Sequence, residues 1–449
     1  MSEPTGPLRQ WDRELVWHAF TQMAEYEPLI FVEGRGATLV DDTGRELLDG
    51  VSSLWCNVHG HRHPRLDAAI REQLDRVAHV TMLGASTPST IELAHRLSEL
   101  TPDGLRHTFF SSDGSAAIEV GLKLAFQYWQ QRPDPRPEKT KYIALGGAYH
   151  GDTLGSVSVG GVARFHEMFR PLLFEVERLD CPDAWRLPPA VEPDQAAAFY
   201  LAELESLLAR EHPRIAAMVM EPLIQCAAGM VKHPPGYLAG VRELTRRYDV
   251  LLIADEVATG FGRTGRMFAC EHEQVAPDLL CLGKGLTGGY LPMAATVATD
   301  EIWNAFLGEY HESRHFFHGH TYSGNALSAA VALATLEVFE EERTLERIQP
   351  RIEQLGSRLE ELRYARGVGD VRQLGLIGAI ELCVDVAGKI PFPWTERRGQ
   401  RVCDYARSKG VFLRPLGSVI VVMPPLCITE SELDRILDAV AEGIEYAVG

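Results

Sequence analysis

The sequence predicts an α/β fold with a largely parallel sheet, followed by a smaller α+β domain, and three observations carry this expectation. Between about residues 106 and 300, short apolar runs alternate with stretches of helical periodicity, the pattern that strand–helix–strand units produce. The chain has 449 residues, 45% of them hydrophobic, enough to bury a large core and a soft prior for two or three domains. Beyond residue 325 the alternation gives way to one long helical pattern and then to separate apolar runs.

Taken in order, the first run is His107-Thr108-Phe109-Phe110. It leads through Ser111-Ser112-Asp113-Gly114-Ser115 into a helix whose apolar residues Ile118, Leu122, Phe126 and Trp129 recur at helical spacing. Tyr142-Ile143-Ala144-Leu145 is the next strand, and Ile215-Ala216-Ala217-Met218-Val219-Met220 the one after. Val250 to Ala254 and Leu279 to Leu282 complete the series as fully apolar runs, the signature of strands buried on both faces. The proline-rich, charged stretches 131–138 and 187–194 read as surface connections. A helix from Asn325 to about Arg343 follows, and the runs Val371–Ile380 and Val419–Met423 supply strands of the second domain. No internal repeat or low-complexity segment occurs.

Charge and cysteine usage narrow the function classes. A formal net charge of -18 argues against a nucleic-acid or anionic-membrane partner, because such surfaces would repel the chain. The eight cysteines form no C-x-x-C pair and no dense framework, as expected of reduced thiols in cytoplasm. Residues 1–7 carry neither a basic nor an apolar export signal, and no run of about 18 apolar residues appears.

The chemistry is concentrated at predicted strand ends. Lys284 follows an apolar run and sits among glycines in Gly283-Lys284-Gly285, while Asp255 closes the run that ends at Ala254. An amine and a carboxylate so placed suit pyridoxal phosphate (PLP), which needs an amine for its aldehyde and an anion to keep its ring nitrogen protonated. The helix start at Gly114 and Ser115 offers free N–H groups and a positive dipole end to a phosphate, although N-capping by Ser112 or Asp113 explains the same residues. Tyr149, between small residues after the next strand, could stack on a flat ring.

Three further patterns need a reading. Gly260-Phe261-Gly262-Arg263-Thr264-Gly265 matches G-x-G-x-x-G, but it begins five residues beyond the strand and lacks the following acidic residue, so it reads as a backbone loop near the site rather than a dinucleotide cradle. The alternating His59, His61, His63 and His318, His320 lack completing metal ligands, so they are structural or line the substrate. Arg414, fixed by Pro415, is either solvated or a clamp for a carboxylate.

With these residues in view, the chain resembles the class III, fold-type I PLP-dependent aminotransferases over nearly its whole length. The segments Ala254–Gly265 and Gly283–Gly285 look like that family's cofactor signature. Within the family the match runs nearest to enzymes of biotin synthesis that convert 8-amino-7-oxononanoate (KAPA) to 7,8-diaminononanoate (DAPA). The segments that carry it are Trp17–Met23, Ser52–Trp55, Tyr149–Thr153, Phe268–His272, His318–Thr321, Arg414–Gly417 and Met423–Pro425.

The resemblance implies a large domain with a mostly parallel seven-stranded sheet over residues 61–335. It implies a small domain made by both termini, 1–60 and 336–449. By the same resemblance Lys284 takes the cofactor's aldehyde and shuttles the proton, Asp255 pairs with the ring nitrogen, and Gly114 and Ser115 hold the phosphate. Tyr149 would stack on the ring and Val257 pack under it. Thr321, beside His320, would reach the phosphate of the neighbouring subunit in a homodimer. Arg414 would take the KAPA carboxylate, with Gly319, Phe20, Leu54 and Trp55 along the substrate. Members that use S-adenosylmethionine usually have tyrosine at the position of Phe20 and tryptophan at that of Leu54. Phe20, Leu54 and Asn57–His61 look more like the variant that uses lysine. An ω-amine or amino-acid:pyruvate aminotransferase of the same fold is the alternative.

Overall fold

The computed structural model describes residues 6–449, so the export-signal reading of residues 1–5 falls outside it. Three strands near the N-terminus, β1 (Phe31–Arg35), β2 (Thr38–Asp41) and β3 (Glu46–Asp49), form an antiparallel meander. The seven-stranded sheet is built from β4 (Leu105–Ser111), β5 (Lys141–Leu145), β6 (Glu177–Leu179), β7 (Ile215–Met220), β8 (Leu251–Asp255), β9 (Leu279–Leu282) and β10 (Ala294–Thr299). Their order across the sheet is β4-β10-β9-β8-β7-β5-β6.

Direction within this sheet positions the site. β10 is antiparallel to both its neighbours, β9 and β4, while the other pairs are parallel. Two reversals bring β4 into the direction of the remaining strands. The C-terminal ends of β4, β5, β7, β8 and β9 therefore open on one edge, where open α/β sheets bind ligands. The strands β7, β8 and β9 are buried at every position.

The helix Gly114–Gln131 covers one face of the sheet, with Trp129 fully buried and its Nε1 donating to Ala216 O at 2.8 Å. Ile118 and Leu122 are buried with it, but Phe126 is 41% exposed. At 100° per residue Phe126 sits roughly 80° around the helix from Ile118, on the flank of the apolar stripe. The helix Ala326–Glu341 is apolar nearly all round and correspondingly buried, and the Asn325 side chain caps it by accepting from Leu327 N and Ser328 N.

Segments from both ends of the chain meet in a further sheet. β13 (Val411–Phe412) runs parallel to β3 and extends the N-terminal meander. A second sheet has the order β11-β12-β15-β14. Its strands are β11 (Val368–Leu374), β12 (Ile377–Asp385), β14 (Pro415–Leu416) and β15 (Val419–Val422), with the two-residue strand Ile390–Pro391 paired to β12 as a fifth. The run Val371–Ile380, a single stretch in the sequence, is thus a hairpin. It reverses at Gly375, φ +59°, where a Cβ would lie 2.2 Å from the Thr264 carbonyl carbon. Only glycine can turn so close against the Gly260–Gly265 loop. Among the described residues no helix is long and apolar enough to cross a membrane.

Candidate active site

A cavity of about 610 Å³ opens at the common strand edge, lined among others by Trp55, Ser115, Tyr149, Asp255, Val257 and Lys284. Each arrives there for a local reason. Asp255 is the last residue of β8 and only 5% exposed. Its Oδ1 accepts from Val257 N at 3.0 Å and its Oδ2 lies 2.7 Å from Nδ1 of the fully buried His150 side chain. His150 Nε2 has no partner among the described residues. Lys284 opens a short 3-10 turn, Lys284–Thr287, directly after β9, with φ +43°. Its Nζ lies 5.1 Å from the centroid of the Trp55 ring.

The start of the helix Gly114–Gln131 also lines the cavity. Asp113 caps this helix by accepting from Ala116 N at 2.9 Å, so the capping explanation holds for Asp113. The helix N-terminus still faces the cavity through Gly114 and Ser115. Ser115 Oγ accepts from Asp152 N at 2.9 Å, which leaves the hydroxyl proton free to donate. Gly114 is required where it stands, because a Cβ would come 2.6 Å from Val257 Cγ1. Tyr149 is half-buried, and its hydroxyl donates to Asp152 Oδ2 at 2.7 Å. Burial, and then that carboxylate, push its phenol up, so it is a neutral aromatic face at physiological pH.

Glu221 also lines the cavity, a residue the sequence reading missed although it follows β7 much as Asp255 ends β8. It is 4% exposed and accepts from Tyr149 N at 3.1 Å and Cys226 N at 2.8 Å. Burial pushes its carboxyl up to about 7.

The wall over Lys284 has an unusual backbone. Ser52, Ser53, Leu54 and Trp55 have φ of 50°, 52°, 87° and 68°, so the helix-like turn Ser52–Trp55 winds left-handed with no glycine in it. Each such residue costs about 1–2 kcal/mol in isolation. Leu54, 44% exposed, and Trp55, 7% exposed, project from this turn, and only Trp55 lines the cavity. Phe20 stands further out: its ring meets Phe165 edge-on at 5.2 Å, and Phe165 meets Tyr149 at 6.3 Å.

Other sequence candidates stay outside the cavity of the single chain. Gly319, His320 and Thr321 are exposed, with Thr321 O accepting from His79 Nε2 at 2.8 Å. Arg414 is exposed and has no ion-pair partner among the described residues. The Gly260–Gly265 loop does not line the cavity either. Its Arg263 is 1% exposed and donates to Asn57 O at 2.6 Å and Pro424 O at 2.7 Å, clipping three chain segments together. His59 Nε2 bonds Thr335 O, His61 Nε2 meets Asp49 Oδ2 and His63 Nε2 meets Glu342 Oε1, at 3.0, 3.0 and 3.1 Å. His318 Nδ1 bonds Lys123 Nζ at 3.0 Å. No cluster of three or more metal-ligating side chains exists among the described residues.

The donor set fits PLP: a helix N-terminus with a serine hydroxyl for a phosphate, an aromatic face, a buried carboxylate for a ring N–H, and an amine for an aldehyde. Comparison with known proteins agrees. Residues 21–444 match the class-III aminotransferase family. The chain is 52% identical to the adenosylmethionine-8-amino-7-oxononanoate aminotransferase of Aquifex aeolicus, covering 98% of this chain and 97% of that one. It is 49% identical to the protein of the same name from Geobacter sulfurreducens, covering 99% of each. The crystal structure of the Methanocaldococcus jannaschii protein of that name superposes with a TM-score of 0.93 at 43% identity, covering 99% of both chains. An amine transaminase from an uncultivated Pseudomonas species, solved in its PLP-bound form, gives 0.92 at 35% identity, covering 97% of this chain and 99% of that one.

Proposed function

The chain belongs to the class-III aminotransferases, PLP-dependent enzymes of fold type I, and on that premise we propose that it aminates the ketone of KAPA to give DAPA in biotin synthesis, with S-adenosylmethionine as amino donor. The observation that carries this reading is identity of about half, over nearly the full length, to relatives named for that reaction.

In this reading bound PLP supplies an electron sink and carries the amino group between two half-reactions. The chain's own residues do the rest. Gly114 and Ser115 hold the phosphate at the helix N-terminus, and Tyr149 and Val257 hold the ring between them. Asp255, oriented by His150, keeps the ring nitrogen protonated. Lys284 Nζ would hold the cofactor's aldehyde at rest; once the donor amine displaces it, the freed amine would take the proton from the donor's α carbon and, in the second half-reaction, return a proton to C7 of KAPA. The donor leaves as its 2-oxo product, so one amine is lost and one gained. Trp55 covers the amine, and Arg414 takes the KAPA carboxylate as a bidentate cation at the outer end.

Two elements of this proposal need a second copy of the chain. Thr321, with Gly319 and His320 beside it, is exposed here and would complete the phosphate site of a partner in a homodimer. The exposed aromatics Trp17, Phe317 and Tyr322 are apolar surface of the kind a subunit interface covers.

A second reading of the donor rests on Phe20 and Leu54, which favour lysine over S-adenosylmethionine. Spectral half-reactions decide it: the PLP form is mixed separately with S-adenosylmethionine and with lysine, and then with KAPA. S-adenosylmethionine alone is expected to discharge the cofactor's visible band, and KAPA to restore it. Discharge by lysine alone selects the second donor. An enzyme that aminates pyruvate and leaves KAPA untouched is instead an ω-amine transaminase. Lys284→Ala should lose the band and at least about a thousandfold in turnover, the scale of positioned acid–base and covalent catalysis combined.

A further inference from the structure

We infer that Asp49 and His61 are positioning residues that hold the left-handed turn Ser52–Trp55 in place, and that through this turn they set how well substrate is bound over Lys284. The inference rests on the aminotransferase reaction of this cavity and not on which amine or ketone enters.

The turn lacks the residue that makes its backbone easy. Four consecutive non-glycine residues have positive φ, so the conformation persists only where surrounding groups over-determine it. Asp49, the last residue of β3 and fully buried, does most of that work. Its Oδ1 accepts from Ser53 N at 2.9 Å and Val51 N at 3.3 Å, and its Oδ2 accepts from Ser53 Oγ at 3.0 Å. His61 Nε2 meets the same Oδ2 at 3.0 Å, and His61 Nδ1 lies 3.3 Å from Asn57 Nδ2. Asn57 Oδ1 in turn accepts from Gly60 N at 2.8 Å. One carboxylate and one imidazole thus tie the entry of the turn to the segment that leaves it.

Two further bonds close the clamp from other parts of the chain. Ser52 Oγ donates to Met423 O at 2.6 Å, and Arg263 of the glycine-rich loop donates to Asn57 O. What the clamp presents is Trp55, whose ring lies over Lys284 Nζ and lines the cavity, with Leu54 beside it at the solvent side. Neither Asp49 nor His61 lines the cavity. Their effect on substrate therefore runs through the backbone of the turn.

Steady-state kinetics on the PLP-loaded enzyme test this, measured with any amine that discharges the wild-type cofactor band. Asp49→Ala is expected to bind PLP stoichiometrically with an unshifted band, to raise KM for the amine about 10- to 100-fold, and to change kcat far less. Adding Ser53→Gly to Asp49→Ala puts the residue that adopts positive φ freely inside the turn, and should recover at least half of the loss in log KM. Unchanged KM in Asp49→Ala, or a loss that Ser53→Gly leaves intact, overturns the inference. Should Asp49→Ala give no soluble protein, His61→Ala is read in the same way, with a smaller rise in KM expected and an unchanged KM overturning it. A wild type that leaves KAPA untouched sinks the function proposed above but not this inference, because the KM comparison uses whichever amine the wild type accepts.

Discussion

His150 Nδ1 lies 2.7 Å from Asp255 Oδ2, and both side chains are shut away from solvent. A carboxylate expected to pair with a ring nitrogen is thereby fixed in orientation by a second buried group, much as metal-bound histidines are fixed by outer carboxylates. His150→Phe keeps the volume and removes this partner. It should lower kcat about 10- to 100-fold and weaken PLP binding about tenfold, read by titrating apoenzyme with PLP and by single-turnover rates. Wild-type values for both would mean that Asp255 holds its orientation through Val257 N alone.

Glu221 gives a pH dependence whose sign is fixed by its environment. Burial raises its carboxyl from the ordinary 4.5 to about 7, so the folded state binds this proton more tightly than the unfolded chain does. The associated stability is complete below about pH 4.5 and is lost as pH rises through about 7, a change of roughly 3 kcal/mol at about 1.4 kcal/mol per pKa unit. Glu221→Gln has no such loss. The difference in stability between the two proteins should therefore shift in the variant's favour by about that amount from pH 4.5 to pH 8, measured from urea midpoints. Glu256, pushed up to about 7 by burial as well, titrates in both proteins and cancels. Parallel pH profiles would show that Glu221 is ionised throughout.

What was legible in the sequence follows from which interactions are local. Lys284 and Asp255 are legible because an apolar strand delivers the side chains at its end to the sheet edge, and Glu221 carries nearly the same signal after Met220, blurred by the following Pro222. The reversal of β10 also had a signal: the link 283–293 is shorter than the dozen or so residues that a parallel crossover needs. The left-handed turn at Ser52–Trp55 had none, since no glycine marks it and its holders come from Asp49, Arg263 and the Met423 carbonyl. The hairpin within Val371–Ile380 was hidden because Leu374, Leu376 and Ile377 keep the run apolar through the turn, with Gly375 as its mark. Gly319, His320 and Thr321 do not join the cavity of a single chain, and their expected role depends on a second copy that no sequence periodicity describes.

The proposed phosphate end of the cavity depends on one close approach between a loop and the start of a helix. Gly151 has φ +116°, and a Cβ built on it would fall 1.7 Å from Ser115 Oγ and 2.9 Å from Ser115 Cα. The hydroxyl alone could rotate away, but the approach to Cα cannot be relieved without moving the helix start. Ser115 Oγ also accepts from Asp152 N, so displacing it frees the segment that carries the hydrogen-bond partner of Tyr149. Gly151→Ala should therefore lower PLP affinity about 100-fold, equal to losing one or two charge-assisted hydrogen bonds at about 1.5–3 kcal/mol each. Ser115→Ala removes a single hydroxyl without the clash and should cost about tenfold. Equilibrium titration of apoenzyme with PLP separates the two variants. Equal losses would mean that the close packing of Gly151 on Ser115 has no part in shaping the phosphate site.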